Sequence, residues 1–390
     1  MHYDYLFVGG GLTTALSVLA LLDVEPGLRV AVVEREGRLG GNHTWCFHAR
    51  DVRAEHGAWV EPLVVARWDG YHVRFPRRAR RLASAYGCVT SERLHDVLSA
   101  QLMRPGCSLR LGTEVTQLAR EEVQLSDGEV LRARFVVDAR GPRSLAHDAQ
   151  GFQKFVGLEL RARVKAPAAT EPLIIDACLS QHDGFRFMYV LPFGDERFLF
   201  EETFFSDHAG LDAEASKARI LSYAREQGFE VREVLREERG SLPMPWKAEQ
   251  VEASGGALAA GYGAGFFHPV TGYSFPIAVR FASALAQSRH APRAADSALA
   301  RFRVQHAEQQ PFLFLLTRMM FGLFEPERRF EVLEHFYRLP APLIERFYAA
   351  ELSAADRARI FMGAPPRGLS LKRALDMLRS ARGVQLEQLP

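Results

Sequence analysis

A strand, three consecutive glycines and a helix open the chain, and this order restricts what its first domain can be. Tyr5-Leu6-Phe7-Val8 reads as a buried strand, and Gly9-Gly10-Gly11 follow it. Leu12, Ala15, Leu16, Leu19 and Leu22 then recur at helical spacing until Pro26-Gly27. Arg29-Val30-Ala31-Val32-Val33-Glu34 reads as a second strand, which completes a beta-alpha-beta unit. A glycine turn in that position cradles the pyrophosphate of a dinucleotide. Gly9 permits the tight turn, and Gly11 lets the backbone close on phosphates at the positive end of the helix. Thr14 occupies the sixth position of the motif in place of glycine. Glu34 ends the second strand about 20–25 residues further on, where an acid binds ribose hydroxyls. Gly10, Leu12 and Arg35 are counted with these residues as cofactor contacts.

Size and charge narrow the class. With 390 residues, 47% of them hydrophobic and 25% charged, the chain has a soluble globular composition and room for two domains. Its 49 basic and 47 acidic residues leave a net charge of +2, which argues against nucleic acid as a partner. Cys46, Cys88, Cys107 and Cys178 are scattered, without paired spacing or a zinc-type histidine pattern. No metal and no disulfide framework are therefore expected, and a cytoplasmic setting is. Met1-His2-Tyr3-Asp4 runs straight into the first strand without the basic region of a signal peptide. No stretch reaches the roughly 18–20 apolar residues that span a bilayer. The nearest, residues 312–324, is shorter and contains Arg318.

Further along, residues 91–102 read as a helix with Ser91 as its N-cap. Residues 115–118 and 123–125 read as strands, with a hairpin turn at Ser126-Asp127-Gly128. Phe135-Val136-Val137-Asp138-Ala139 is another buried strand. From about residue 155 to 203 the pattern changes to longer alternating segments, which predicts a separate, mostly antiparallel sheet. Residues 211–227 and 275–286 read as helices and 258–261 as a buried strand; the remainder is helix-rich. The expected domains are a dinucleotide-binding unit over 1–150 and 251–290, an antiparallel-sheet substrate unit over 151–250, and a helical C-terminal region over 291–390. Residues 46–85 are a candidate contribution to the substrate unit.

One segment carries chemistry of its own. Phe198-Leu199-Phe200-Glu201-Glu202-Thr203 sets two acids straight after an apolar strand. Adjacent strand residues face opposite sides, so one of Glu201 and Glu202 points to the apolar face. Which one is left open. Desolvation raises the pKa of such an acid, as a general acid near neutral pH requires. A salt-bridged pair at a strand end is the alternative that spacing leaves. A lone histidine in a glycine-rich loop, as His43 and His268 both are, is often a structural hydrogen-bonder.

Three segments resemble the flavin motifs of hydroxylase-type FAD enzymes. They are Gly37-Arg38-Leu39-Gly40-Gly41, Val136-Val137-Asp138-Ala139-Arg140-Gly141, and Ala259-Ala260-Gly261-Tyr262-Gly263-Ala264-Gly265 with Pro269 and Gly272. In the third, Tyr262 stands where many relatives carry an Asp. More narrowly, Leu199-Phe200-Glu201-Glu202-Thr203 is similar to the Phe-Leu-Glu-Glu-Thr motif of lycopene cyclases, with its first two residues exchanged. Gly40-Gly41-Asn42-His43-Thr44-Trp45, Arg239-Gly240-Ser241-Leu242-Pro243-Met244-Pro245 and Phe267-His268-Pro269-Val270-Thr271-Gly272-Tyr273-Ser274-Phe275-Pro276 resemble further segments of the bacterial beta-cyclases. The resemblance to the bacterial lycopene beta-cyclase family runs from the first strand to at least Ala286.

That resemblance implies an α/β fold: a Rossmann-like FAD-binding domain of the hydroxylase type, an antiparallel-sheet substrate domain and a helical C-terminal region. It implies FAD, active when reduced, with NADPH as its reductant. It implies lycopene as substrate, its psi ends closed to beta rings with no net redox change. Glu201 would be the acid, with Glu202 its neighbour or the second member of a coupled pair. Gly40, Gly41, His43, Asp138, Gly261, Gly265, His268, Pro269, Thr271 and Gly272 would lie at the flavin. Phe185, Phe187, Tyr189 and Phe200 would line a polyene tunnel, with plain sheet core as the alternative for each.

A substrate this apolar implies peripheral contact with a membrane surface. The basic run Arg77-Arg78-Ala79-Arg80-Arg81 and the apolar residues 312–324 are the two candidate contacts. Rival readings of the same fold are a flavin monooxygenase, a prenyl reductase, and a non-catalytic prenyl carrier.

Overall fold

The computed structural model describes residues 2–141, 151–164, 170–247, 254–362, 365–370 and 373. Among the described residues the strands form three sheets, of seven, seven and three strands. The first is built around His2–Val8, which pairs in parallel with Val30–Val33 on one side and Val130–Asp138 on the other. Ser108–Arg110 extends the parallel run beyond Val30–Val33, and Leu258–Ala259 joins it at the end of Val130–Asp138. Glu122–Leu125 and Val115–Leu118 add an antiparallel meander. Strands covered on both faces read as continuous apolar runs, and Tyr5, Leu6, Phe7 and Val30 to Val33 are all buried.

The helix Leu12–Val24 leaves the glycine turn and packs against the helix Phe275–Gln287. Thr14, in the place of the sixth glycine, is fully buried, and its hydroxyl donates to the Gly9 carbonyl at 2.6 Å. The departure from the motif is thus absorbed inside the turn. The helix Ser91–Leu102 is capped by Thr90 and not by Ser91: the Thr90 hydroxyl accepts from the Arg93 amide at 3.3 Å. Thr90 still has the extended backbone of the strand Tyr86–Thr90, the conformation that a cap needs.

The second sheet runs Phe229–Pro243, Phe152–Val164, Arg197–Ser206, Phe185–Gly194, Leu173–Asp176, Tyr71–Phe75, Arg78–Leu82. Its pairs are antiparallel except Leu173–Asp176 with Tyr71–Phe75. Thr44–His48, Tyr86–Thr90 and Ala66–Trp68 make the small third sheet. Sequence periodicity does not reveal the fifteen-residue strand Phe229–Pro243. It lies at the sheet edge with charges on both faces, so it lacks the alternation by which strands are read.

The C-terminal part is helical, as expected: Ala298–Leu323, then Phe330–Phe336, Ala341–Tyr348 and Ala354–Phe361. Residues 312–323 form the end of the first of these, with Leu313, Phe314, Met320 and Phe321 buried. Among the described residues no helix is long and apolar enough to cross a membrane. The basic run is largely consumed by protein partners. Arg77 pairs with Glu331 and Glu334, Arg80 donates to the carbonyls of Tyr337 and Leu339, and Arg81 pairs with Glu171.

Candidate active site

A cavity of about 1010 Å³ runs from the glycine turn to the second sheet. Ligand pockets of ordinary size span roughly 300–1,000 Å³, so this one has room for a large ligand. Gly9, Gly10, Gly11 and Leu12 form one end of its wall, with Glu34 and Arg35 beside them. Gly40, Gly41 and His43, then Gly261, Thr271 and Gly272, continue the wall toward the sheet.

The glycine turn is shaped by close approaches. Gly9 has φ +99°, and a Cβ there would stand 2.7 Å from the Ala139 carbonyl oxygen. At Gly10 a Cβ would meet Leu39. At Gly11 it would meet nothing within 4 Å, because the position faces the cavity. No side chain caps the helix Leu12–Val24 and its first turn holds no acid, so its leading amides are open to an anion. Glu34 is fastened to this turn. Oε2 accepts from the Gly10 amide at 2.6 Å and Oε1 from the Glu36 amide at 2.9 Å. Each oxygen keeps a lone pair for a further donor such as a ribose hydroxyl. The donor set and the open cradle fit a dinucleotide.

Four expected contacts sit behind the wall instead of in it. Asp138 turns its carboxylate onto Arg140 at 2.8 and 2.9 Å, and Ala139 and Arg140 line the cavity. His268 is fully buried, its Nδ1 accepting from the Val270 amide at 3.3 Å and its ring edge-on to Phe347. Burial pushes its imidazole down to about 3, so it is neutral. Its carbonyl accepts from the amides of Thr271 and Gly272, which fixes the turn that presents those two residues. Pro269 is buried with it, and the Gly265 carbonyl is bonded to His306 at 3.0 Å. These residues shape the loop from the side away from the cavity. His43 does reach the cavity, and burial lowers its pKa.

The glutamate doublet is split across the second sheet. Glu201 faces the cavity with Leu199, Thr203 and Phe205. Glu202 faces away, fully buried, under the helix Ala213–Glu226. There its carboxylate accepts from Arg186 Nε at 2.6 Å and from Arg219 at 2.7 to 3.1 Å. Burial works to raise its pKa, but the hydrogen bonds of Arg219 and Ser216, with the charge of Arg186, outweigh it and the net shift is down. The expected coupling of Glu201 to Glu202 is therefore replaced, because the pleat puts them on opposite faces.

Glu201 meets Glu238 instead. Glu201 pairs with Gly157 on one side and Tyr189 on the other, and Gly157 pairs onward with Glu238. Glycine removes the side chain that would separate the two acids: a Cβ at Gly157 would lie 2.7 Å from Glu238 Cγ. Burial first, and then the charge of Glu238, push the Glu201 carboxyl up to about 8; the Thr203 hydroxyl, donating to Oε1 at 2.6 Å, opposes them. At neutral pH Glu201 is a neutral carboxylic acid in a cavity wall. Sequence reading missed Glu238, although a glycine inside a strand pattern, as in Val156-Gly157-Leu158, is the signal of a close approach.

Phe185, Phe187 and Tyr189 line the cavity near Glu201, with Phe155. Phe200 does not: it is packed with Phe198, Tyr223 and Phe229 on the far face. The site thus combines a glycine turn with uncapped helix amides, a carboxyl whose pKa is raised and an aromatic wall in one cavity.

Comparison with known proteins agrees in fold and family. The solved geranylgeranyl bacteriochlorophyll reductase-like protein of Thermoplasma acidophilum matches with TM-score 0.65 at 12% identity, covering 92% of this chain and 95% of that one. The flavin-dependent brominase Bmp2 matches with TM-score 0.62 at 14% identity, covering 98% and 100%. At these identities the likeness is one of fold. By sequence, the lycopene beta-cyclase of Pantoea ananas is 39% identical over 368 residues, 94% of this chain and 95% of that protein. The lycopene beta-cyclase of a Paracoccus species is 40% identical over 372 residues, again 94% and 95%. The family model described as lycopene cyclase protein matches residues 4–374, and with relatives of this similarity over nearly their whole length, the chain belongs to the lycopene cyclase family.

Proposed function

We propose that the chain closes the psi ends of lycopene to beta rings, first to gamma-carotene and then to beta-carotene, with FAD held along the glycine turn. One observation carries this reading: the turn and the Glu201 carboxyl open on the same cavity. Gly9, Gly10, Gly11 and the first amides of Leu12–Val24 would hold the pyrophosphate, and Glu34 the ribose. Bound in its reduced form, the flavin supplies negative charge that favours a nearby carbocation.

The chain's own part is acid–base chemistry. Glu201 gives its proton to the terminal alkene of the polyene, leaving a tertiary cation. The neighbouring double bond attacks that cation and the ring carbon–carbon bond forms. The Glu201 carboxylate then takes back a ring proton, so composition and oxidation state are unchanged. Phe155, Phe187 and Tyr189 exclude water and offer π faces to the cation. NADPH would serve only to reduce the flavin, so dithionite-reduced protein should turn over without it.

Expression in a lycopene-accumulating bacterial host tests the reading. Pigment of lycopene's own mass with cyclic ends is the expected product. An added oxygen points to a monooxygenase and added hydrogen to a reductase. The glycine turn is tested separately. Gly11→Val is compatible with the local backbone, φ −82°, and its side chain enters the cavity. It should fold with an unchanged thermal midpoint and purify with little flavin absorbance. Full flavin content in that variant would move the cofactor elsewhere.

We also propose peripheral contact with a membrane surface on the cytoplasmic side, from which so apolar a substrate must be drawn. Phe361 and Met362, exposed at the end of Ala354–Phe361 beside the exposed Arg359, suit this better than residues 312–323, in which Arg318 alone is exposed. The protein should float with anionic liposomes, and Phe361→Asp with Met362→Asp should weaken flotation. Equal flotation by that double variant would rule out this contact.

A further inference from the structure

We propose that Glu238 is the positioning residue of the acid: admitted by Gly157 and fixed by Arg236 and Thr44, its carboxylate hydrogen-bonds Glu201 across the sheet and keeps the transferable proton on it. The inference rests on the reading of Glu201 as the proton donor.

The geometry is a row of four residues on one face of the sheet, Tyr189, Glu201, Gly157 and Glu238, set by the register of four neighbouring strands. Two carboxyls set across a glycine in neighbouring strands cannot both ionise cheaply, so a proton is favoured on one of them. Which acid carries the proton is decided by what stands behind each. Glu238 is 1% exposed and does not line the cavity. Its Oε2 accepts from the Thr44 hydroxyl at 2.9 Å and from Arg236 at 2.7 Å. Glu238 thus has a cation and a hydroxyl on one oxygen. Among the described residues Glu201 has no ion-pair partner and accepts from the Thr203 hydroxyl on Oε1, so the proton is placed there, on the side open to the cavity.

Arg236 is itself held in place. It pairs with Glu159 at 3.2 Å and Glu92 at 3.4 Å, and donates to Thr44 at 2.8 Å and Asn42 at 3.0 Å. The Gly40–Trp45 loop is thereby tied to the acid pair through Asn42 and Thr44. Around Glu201 the facing titratable and charged groups are Tyr189 from the Phe185–Gly194 strand, Glu238 and Arg236 from Phe229–Pro243, Glu159 from Phe152–Val164, and His43 from the loop. Tyr189 is held protonated by burial, and burial likewise keeps His43 neutral. The charges that bear on the proton are thus those of Glu238 and Arg236, and the larger effect is that of Glu238.

The test is the pH dependence of cyclisation in the flavin-loaded enzyme. The wild-type rate should be level below pH 8 and fall above it, as Glu201 loses its proton. In Glu238→Gln the negative neighbour is gone, so the fall should begin about one pH unit lower or more. At pH 8 a shift of one unit is about a fivefold loss relative to wild type, with little change at low pH. Gly157→Ala, which pushes Glu238 aside without altering charge, should move the fall in the same direction, and Glu238→Asp should restore part of it. Infrared difference spectra give a readout independent of turnover: the protonated-carboxyl band lost in Glu201→Gln should titrate at lower pH in Glu238→Gln. A uniform rate loss with an unmoved fall, or no effect, would overturn the proposal and leave the acid assignment standing. Cyclisation by Glu201→Gln would overturn both.

Discussion

Glu201→Gln is expected to lower cyclisation by a factor of about 10² to 10⁴, the usual contribution of a positioned general acid, while the protein keeps its fold and its flavin. Gln preserves the size of the side chain and can still meet Thr203 and Glu238, but it carries no proton acidic enough for an alkene. The carboxyl it replaces is held neutral at an energetic cost, through burial and the adjacent charge of Glu238. Thermal midpoint should therefore be unchanged or slightly higher near pH 7. The sign follows from protonation: a carboxyl whose folded pKa is raised loses stability as pH climbs from its unfolded to its folded pKa, and Gln, which does not titrate, avoids that loss. Single-turnover assays with pre-reduced protein would measure the effect free of flavin reduction. Wild-type rates in this variant would remove Glu201 from the mechanism.

Glu202→Gln is expected to do the opposite. Glu202 lies on the other face, with Arg186 and Arg219 as partners and no access to the cavity. Removing one member of a buried ion pair typically costs about 3 kcal/mol or more. Arg219 is about one third exposed and Arg186 only 8%, so the penalty falls mainly on Arg186. The thermal midpoint should drop by several degrees and soluble yield should fall, while the rate per folded, flavin-containing molecule stays within about threefold. The contrast between the variants is the diagnostic result: one dead and stable, the other active and fragile. The reverse pattern would exchange the roles of the two glutamates.

Both predictions concern residues that the sequence singles out without saying which face of the sheet each occupies. Strand periodicity says that Glu201 and Glu202 point to opposite sides, but not which side holds the chemistry. Usually an apolar and a polar face settle this. Here both faces are apolar, with Leu199 and Phe205 on one and Phe198, Phe200 and Phe204 on the other. The arrangement follows from a sheet covered on both sides, by the cavity and by the helix Ala213–Glu226. The same ambiguity explains why Phe200 could be read as a tunnel residue.

At the glycine turn the local signal was sufficient for the fold. A parallel strand, a glycine turn and a helix are contiguous in the chain, so their geometry is set by backbone sterics within a few residues. The turn, the helix and the place of Glu34 were all legible in the primary structure. The loop residues at the cavity were not separable in this way, since Thr271 and His268 stand three positions apart and only the turn between them decides which faces the cavity.

What the amino-acid order determined by itself is the local part: the beta-alpha-beta unit, the glycine cradle, and the alternation that divides the two acids. What tertiary structure alone decided is the partnership of Glu201. Glu238 comes from an edge strand without apolar periodicity, and it reaches Glu201 only because three strands align at Gly157. Contacts of that kind depend on cross-strand register, a property of the assembled sheet that no single segment of the chain contains.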